Sequence, residues 1–91
     1  MKEEVIKALK SVIDPEIHIN VWDAGMIKEM KVENRTVYVK FRPTSFLCPI
    51  ALKLAVDIKK ALLKLEFIDK AEVEIVEHKD AEEYNKFLKQ W

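Results

Sequence analysis

The sequence predicts an α/β (α+β) domain in the order α-β-β-α-β-α, with helices packed on a small mixed sheet. Apolar residues recur at three- and four-residue spacing in three segments, and alternate with polar ones in three others. The chain has 91 residues, 49% hydrophobic and 35% charged, enough for one packed core and little else. Residues 1–91 therefore read as a single domain, its core over about 3–77 and a closing helix over about 80–91.

Val5, Ile6, Leu9, Val12 and Ile13 give a first amphipathic helix over about residues 2 to 12. Pro15 disfavours helical geometry at Asp14 and ends it. The stretch DPEIHINVWDAG, residues 14–25, keeps no period and reads as a loop. Two strands follow. Met26, Met30 and Val32 share one face of the first, and Val37, Val39 and Phe41 alternate with Tyr38 and Lys40 in the second. Asn34-Arg35 between them suits a tight hairpin, because Asn tolerates positive φ.

Residues 43–48 form a short loop, and Pro49 opens a long helix. Its stripe is Ala51, Leu54, Ala55, Ile58, Leu62 and Leu65, widened by Ile50, Val56 and Leu63, so this helix is the most buried one expected. Ala71, Val73 and Ile75 alternate with acids in a third strand, which the intervening helix sets parallel to the second. Asp80 precedes Glu83 by three, as in a capping box, and opens a last helix carrying Tyr84, Phe87, Leu88 and Trp91.

Sixteen Lys and Arg balance sixteen Asp and Glu, which removes the electrostatic case for a nucleic-acid or anionic-membrane binder. Lys53, Lys60 and Lys64 on the long helix accordingly read as a solvated face. The opening MKEEVIKALK lacks the apolar run of a signal peptide, and no later run reaches membrane-spanning length. The expected compartment is a reducing cytoplasm. Abundant Lys and Glu with few Asn and Gln lean towards a thermophile composition.

Cys48 is the only cysteine, which excludes an internal disulfide and an all-thiolate metal site within one chain. Standing just before Pro49, it places a thiol at or near the N-terminus of the long helix, where unpaired N–H groups and the helix dipole favour the thiolate. A thiolate suits a soft metal, an iron–sulfur cluster or an electrophile; the ordinary alternative is a small buried hydrophobe. Thr44 and Ser45 suit capping, ligand contact or plain turn chemistry. In the earlier loop, Asp14, Glu16, His18, Asn20 and Asp23 suit loop bracing, a hard metal or a proton. Asp14 beside Pro15 fits an Asx turn best, and His18 reads as an ordinary surface or core histidine. Gly25, the single glycine, marks positive φ or a close backbone approach. Trp22 and the aromatics Tyr84, Phe87 and Trp91 read first as core and docking residues, with Trp22 and Trp91 also suited to partner contacts.

Asp14-Pro15-Glu16, Asp23-Ala24-Gly25 and Thr44-Ser45-Phe46-Leu47-Cys48-Pro49 together resemble the metal–sulfur cluster assembly family of the SufT and PaaD type, long called a domain of unknown function. That family shows a D-P-E turn, a D-L-G turn and a T-x-x-x-C-P segment in this order, and the likeness covers about residues 3 to 77, nearly the whole core. The resemblance implies a fold of this element order and a role in maturing iron–sulfur proteins, as a carrier, scaffold or targeting factor rather than an enzyme. It places the reactive cysteine on Cys48, the acidic turn residues on Asp14, Glu16 and Asp23, and the opening threonine on Thr44. Ala24 stands where Leu is usual, and Phe46-Leu47 where Pro and a small residue are common. A helix ending in Trp91 replaces the usual proline–tryptophan tail.

One thiolate cannot hold a cluster that normally takes four cysteines. A transient cluster on Cys48 would need a second copy of the chain, a partner's cysteines, small thiols, or oxygen ligands such as Asp14, Glu16 or Asp23. The expected partners are iron–sulfur assembly proteins and apo-protein clients. A competing expectation is a non-catalytic adaptor that docks clients through the Trp22 loop and the cysteine turn without holding metal. A nucleic-acid module is disfavoured, since Gly25 stands alone and Tyr38 and Phe41 point to opposite strand faces. No Gly-rich phosphate loop, H-E-x-x-H or G-x-S-x-G motif is present, and no spacing supports a Cys48–His18 or Cys48–His78 dyad.

Overall fold

The structure, a computed structural model, describes residues 2–90, so Trp91 lies outside the described residues. Its elements are α1 (Lys2–Lys10), β1 (Ile13–Asp14), β2 (Ile19–Asn20), β3 (Ile27–Glu33), β4 (Thr36–Phe41), α2 (Ala51–Leu63), β5 (Lys70–Ile75) and α3 (Ala81–Lys89). The mixed α/β architecture is the expected one, with one addition. The stretch read as a plain loop contains a two-residue antiparallel ribbon, Ile13 opposite Asn20 and Asp14 opposite Ile19. A strand pair this short leaves no periodic trace in a sequence.

In α1, Glu3 and Glu4 stand in the first turn and Lys7 and Lys10 in the last, which matches the helix dipole at both ends. The main sheet has the order β3-β4-β5, antiparallel then parallel. Asn34 and Arg35 both adopt positive φ, 49° and 64°, as a two-residue turn matched to strand twist requires. The register slips between Ile27 and Glu29, so Lys28 is an extra residue. That bulge corrects the expected face: Ile27, rather than Met26, joins Met30 and Val32 opposite Phe41, Val39 and Val37. Met26 is still buried, just before the strand, and its carbonyl accepts from the Arg42 N–H at 2.7 Å.

The core joins Val5 and Leu9 of α1 to Leu54, Ala55, Ile58 and Leu62 of α2, and both to Val37, Val39, Phe41, Ala71, Val73 and Ile75 of the sheet. Leu63 is exposed, whereas Leu65, just past the end of α2, still packs against the core with Ile50 and Val56. Lys59 is buried as well. Its ammonium is tucked beneath α3, where it donates to the Leu88 carbonyl at 2.8 Å, the apolar stem lying along the core. Lys53, Lys60 and Lys64 are exposed as expected.

α3 is also tied to the end of the edge strand. β5 is an edge strand, and the Asn85 side chain both accepts from the Ile75 N–H at 2.7 Å and donates to the Ile75 carbonyl at 3.0 Å. Among the described residues no helix is long and apolar enough to cross a membrane.

Candidate functional site

Asp14, Pro15 and Glu16 form the bend between β1 and β2. Asp14 Oδ1 accepts the Glu16 N–H at 2.8 Å, the expected Asx turn, and its carbonyl accepts the His18 N–H at 2.8 Å. The side chain is fully buried, with 0% exposure, and Oδ2 has no hydrogen-bond partner. A buried carboxyl oxygen left bare costs free energy. Pro15, Glu16 and His18 are exposed, and His18 adopts a φ of 58°.

The next five residues make one helical turn with a cap at each end. Asn20 Oδ1 accepts the Asp23 N–H and Asn20 Nδ2 donates to Asp23 Oδ2, both at 2.8 Å, a reciprocal N-terminal cap. At the other end the Met26 N–H reaches the Val21 carbonyl and the Gly25 N–H the Trp22 carbonyl, both at 3.1 Å. This is the Schellman arrangement, with glycine in the left-handed position. Gly25 has φ 74°, and nothing lies within 4 Å of where its Cβ would stand, so backbone conformation and not close approach requires it. Asp23 and Gly25 thus explain their motif as turn chemistry. Trp22 is half-buried against the core, as expected.

The cysteine loop is built differently. Ser45 Oγ accepts the Leu47 N–H at 3.1 Å, while Thr44 is exposed and makes no described hydrogen bond. Cys48 is not at the cap of α2. The N-cap is Ile50, which has no side-chain cap, and Cys48 stands two residues earlier, before an exposed Pro49. Pro49 accordingly serves the turn before the helix rather than its first turn. Phe46 and Leu47 point outwards, 59% and 63% exposed, whereas Cys48 is only 3% exposed. Leu47 is absent from the residues of positive φ, so its departure from a small residue carries no backbone strain.

What holds this loop comes from the turn between β5 and α3. His78 Nε2 lies 2.8 Å from the Cys48 carbonyl, the Asp80 N–H donates to His78 Nδ1 at 3.1 Å, and the Lys79 N–H donates to the Phe46 carbonyl at 3.0 Å. Because Nδ1 accepts, the ring proton sits on Nε2 and is donated to Cys48. Spacing gave no sign of this meeting, and it is made through the backbone, not the thiol. Asp80 is the N-cap of α3 as expected, but no capping-box side-chain bond forms; its N–H is given to His78 instead.

No described hydrogen bond joins the singled-out residues of the first loop to those of the cysteine loop. Asp23 bonds to Asn20 and lies 3.9 Å from Lys10, Asp14 bonds within its own turn, and Cys48 is tied to His78. Among the described residues no three of His, Cys, Asp or Glu gather closely enough to hold a metal ion. A groove of about 770 Å³ crosses the strands beside α3, with Tyr38, Lys40, Asn85 and Leu88 in its lining, and it includes none of the expected site residues.

The family described as iron–sulfur cluster assembly protein matches residues 2–75 of the chain. An uncharacterised protein of Methanocaldococcus jannaschii is 34% identical over 90 residues, covering 98% of this chain and 95% of its own length. The Fe-S protein maturation auxiliary factor YitW of Bacillus subtilis is 31% identical over 77 residues, 84% of this chain and 76% of its own. A crystal structure of a domain of unknown function from Bacillus anthracis has a TM-score of 0.75 and 28% identity, covering 81% of this chain and 72% of that one. The chain belongs to the iron–sulfur cluster assembly protein family.

Proposed function

We propose that this member of the iron–sulfur cluster assembly family delivers or targets clusters to apo-proteins, with the Cys48 thiolate as its working ligand and no catalytic turnover of its own. The observation that carries the reading is the family match over residues 2–75, which encloses the chain's one thiol on its cysteine-proline loop. The name of the Bacillus subtilis relative points the same way. A cytoplasmic setting suits a free thiol and a labile cluster.

The cluster is cargo. With one cysteine and no three-residue ligand set among the described residues, the remaining ligands come from a second copy, an assembly protein or a client. An incomplete set suits a carrier, because a cluster held by few protein ligands is easily surrendered. Asp14 Oδ2 is unpartnered but fully buried, so it can add a ligand only when its bend opens. Phe46 and Leu47, exposed beside the thiol, offer an apolar rim to assembly proteins and clients.

The 3% exposure of Cys48 favours one second reading, an adaptor that docks clients through that rim and never binds metal. Cells lacking the chain separate the two. The carrier reading expects Cys48→Ala to leave iron–sulfur enzyme activities as low as the deletion does. Full restoration by Cys48→Ala gives the role to the adaptor.

A further inference from the structure

We propose that His78 is a positioning residue for Cys48, a latch on the cysteine loop that sets how often the thiol is presented. The proposal rests on the reading of Cys48 as the working thiol. Its own support is structural and lies outside the segment matched by the family, which ends at residue 75.

A thiol that is 3% exposed cannot meet a ligand held by another protein until its loop lifts. Two hydrogen bonds oppose that movement, from His78 Nε2 to the Cys48 carbonyl at 2.8 Å and from the Lys79 N–H to the Phe46 carbonyl at 3.0 Å. The His78 ring is itself fixed. The Asp80 N–H occupies Nδ1, and the ring neighbours Phe46 and Tyr84, tilted to both, with centroid separations of 6.5 and 5.5 Å. Tyr84 belongs to α3, which Asn85 fastens to the edge of β5. The cysteine loop is thus tied through one imidazole to the C-terminal helix.

The geometry also gives a partner a way to open the latch. Phe46 neighbours His78 yet is 59% exposed, so a client that draws Phe46 into its own surface removes a neighbour of the ring that holds Cys48. Docking and thiol release are then one event, a population shift driven by the partner's preference for the lifted loop.

Alkylation of Cys48 by iodoacetamide under native conditions, followed by mass spectrometry, measures the latch without any metal. Each variant's urea unfolding is recorded alongside. His78→Phe keeps a ring beside Phe46 and Tyr84 but loses both hydrogen bonds of the imidazole, and is expected to be alkylated about tenfold faster than wild type. His78→Gln keeps a donor facing the Cys48 carbonyl and should stay within about threefold. Tyr84→Leu keeps both bonds but removes one neighbouring ring, and should fall between them; it decides the matter with His78→Gln if His78→Phe does not fold.

An unchanged rate in His78→Phe overturns the latch, as does Gln labelling as fast as Phe. So does a rise in each variant that merely follows its loss of global stability, because His78 would then be a structural residue only. Failure of wild type to take up a cluster would instead remove the carrier reading and leave these rates standing.

Discussion

The Asn20–Gly25 turn and the Thr44–Cys48 loop are of similar length and both carry motif residues, yet they are held by opposite means. The first closes mostly on itself, Asn20 to Asp23, Gly25 to Trp22 and Met26 to Val21. Its outside ties reach back only to the preceding segment: the Val21 N–H donates to the Val12 carbonyl at 2.9 Å, Asn20 pairs with Ile13, and Asp23 lies 3.9 Å from Lys10. The second is fastened by His78 and Lys79, about 30 residues further on. A segment closed on itself keeps its shape whatever happens elsewhere, whereas one held by a distant turn moves when that turn moves. A protein that gives up its cargo benefits from having its thiol on the second kind.

The comparison breaks most sharply at Asn85. Asn85→Ala strips the Ile75 N–H and carbonyl of their partner and should lower stability in urea unfolding by about 2 to 3 kcal/mol. Native Cys48 alkylation should rise with it, while the backbone amides of 21–26 keep their hydrogen-exchange protection relative to the rest. Equal loosening of both segments would erase the distinction.

Gly25→Ala strikes the other side. With φ at 74° and open space around the added methyl group, the whole cost is conformational, about 1 to 2 kcal/mol, and Gly25→Asn should recover part of it. Chemical denaturation measures the loss, and Cys48 reactivity should change no more than global stability does. Asp14→Asn tests the bend that leads into the first region. Asn keeps the oxygen that accepts the Glu16 N–H but sets an amide donor where Oδ2 has no partner, so stability should fall by about 1 kcal/mol and iron uptake should weaken. A stable variant with undiminished uptake would make Asp14 purely structural.

The smallest effect expected is electrostatic. Arg35 clasps Asp69 with Nε–Oδ2 at 2.7 Å and Nη2–Oδ1 at 3.2 Å, and that hydrogen bond holds the Asp69 carboxyl below its ordinary value and the guanidinium above its own. A depressed carboxyl pKa means that the unfolded chain takes up the proton first. The contribution is therefore present at neutral pH and lost as pH falls through the acidic range. Both groups are exposed, so the change is slight. Asp69→Asn should flatten this part of the stability–pH curve, and an unaltered curve would contradict the pairing.

Legibility in the sequence follows the same division. Asn34-Arg35, the strand alternations and the parallel return of β5 were legible because their causes are local or periodic. Gly25 was legible as a position of positive φ, although the Schellman turn around it was not. The burial of Lys59 was hidden because a lysine on a charged helix reads as solvated until α3 supplies a carbonyl to receive it. The bulge at Lys28 turns on one residue and leaves no period. His78 gave no signal at all. A single histidine among charged residues acquires meaning only when the fold sets it beside a loop 30 positions earlier, and the motif that marks Cys48 says nothing about what holds it.

Anaerobic reconstitution of the full chain with iron and sulfide, for wild type and Cys48→Ala side by side, tests the central claim most directly. Visible absorption, iron content and molecular mass are read together. The carrier account predicts a cluster on wild type that Cys48→Ala does not form, with a mass showing where the missing ligands come from. A cluster of equal yield on Cys48→Ala would contradict it, and absence of any cluster on wild type would do so as plainly.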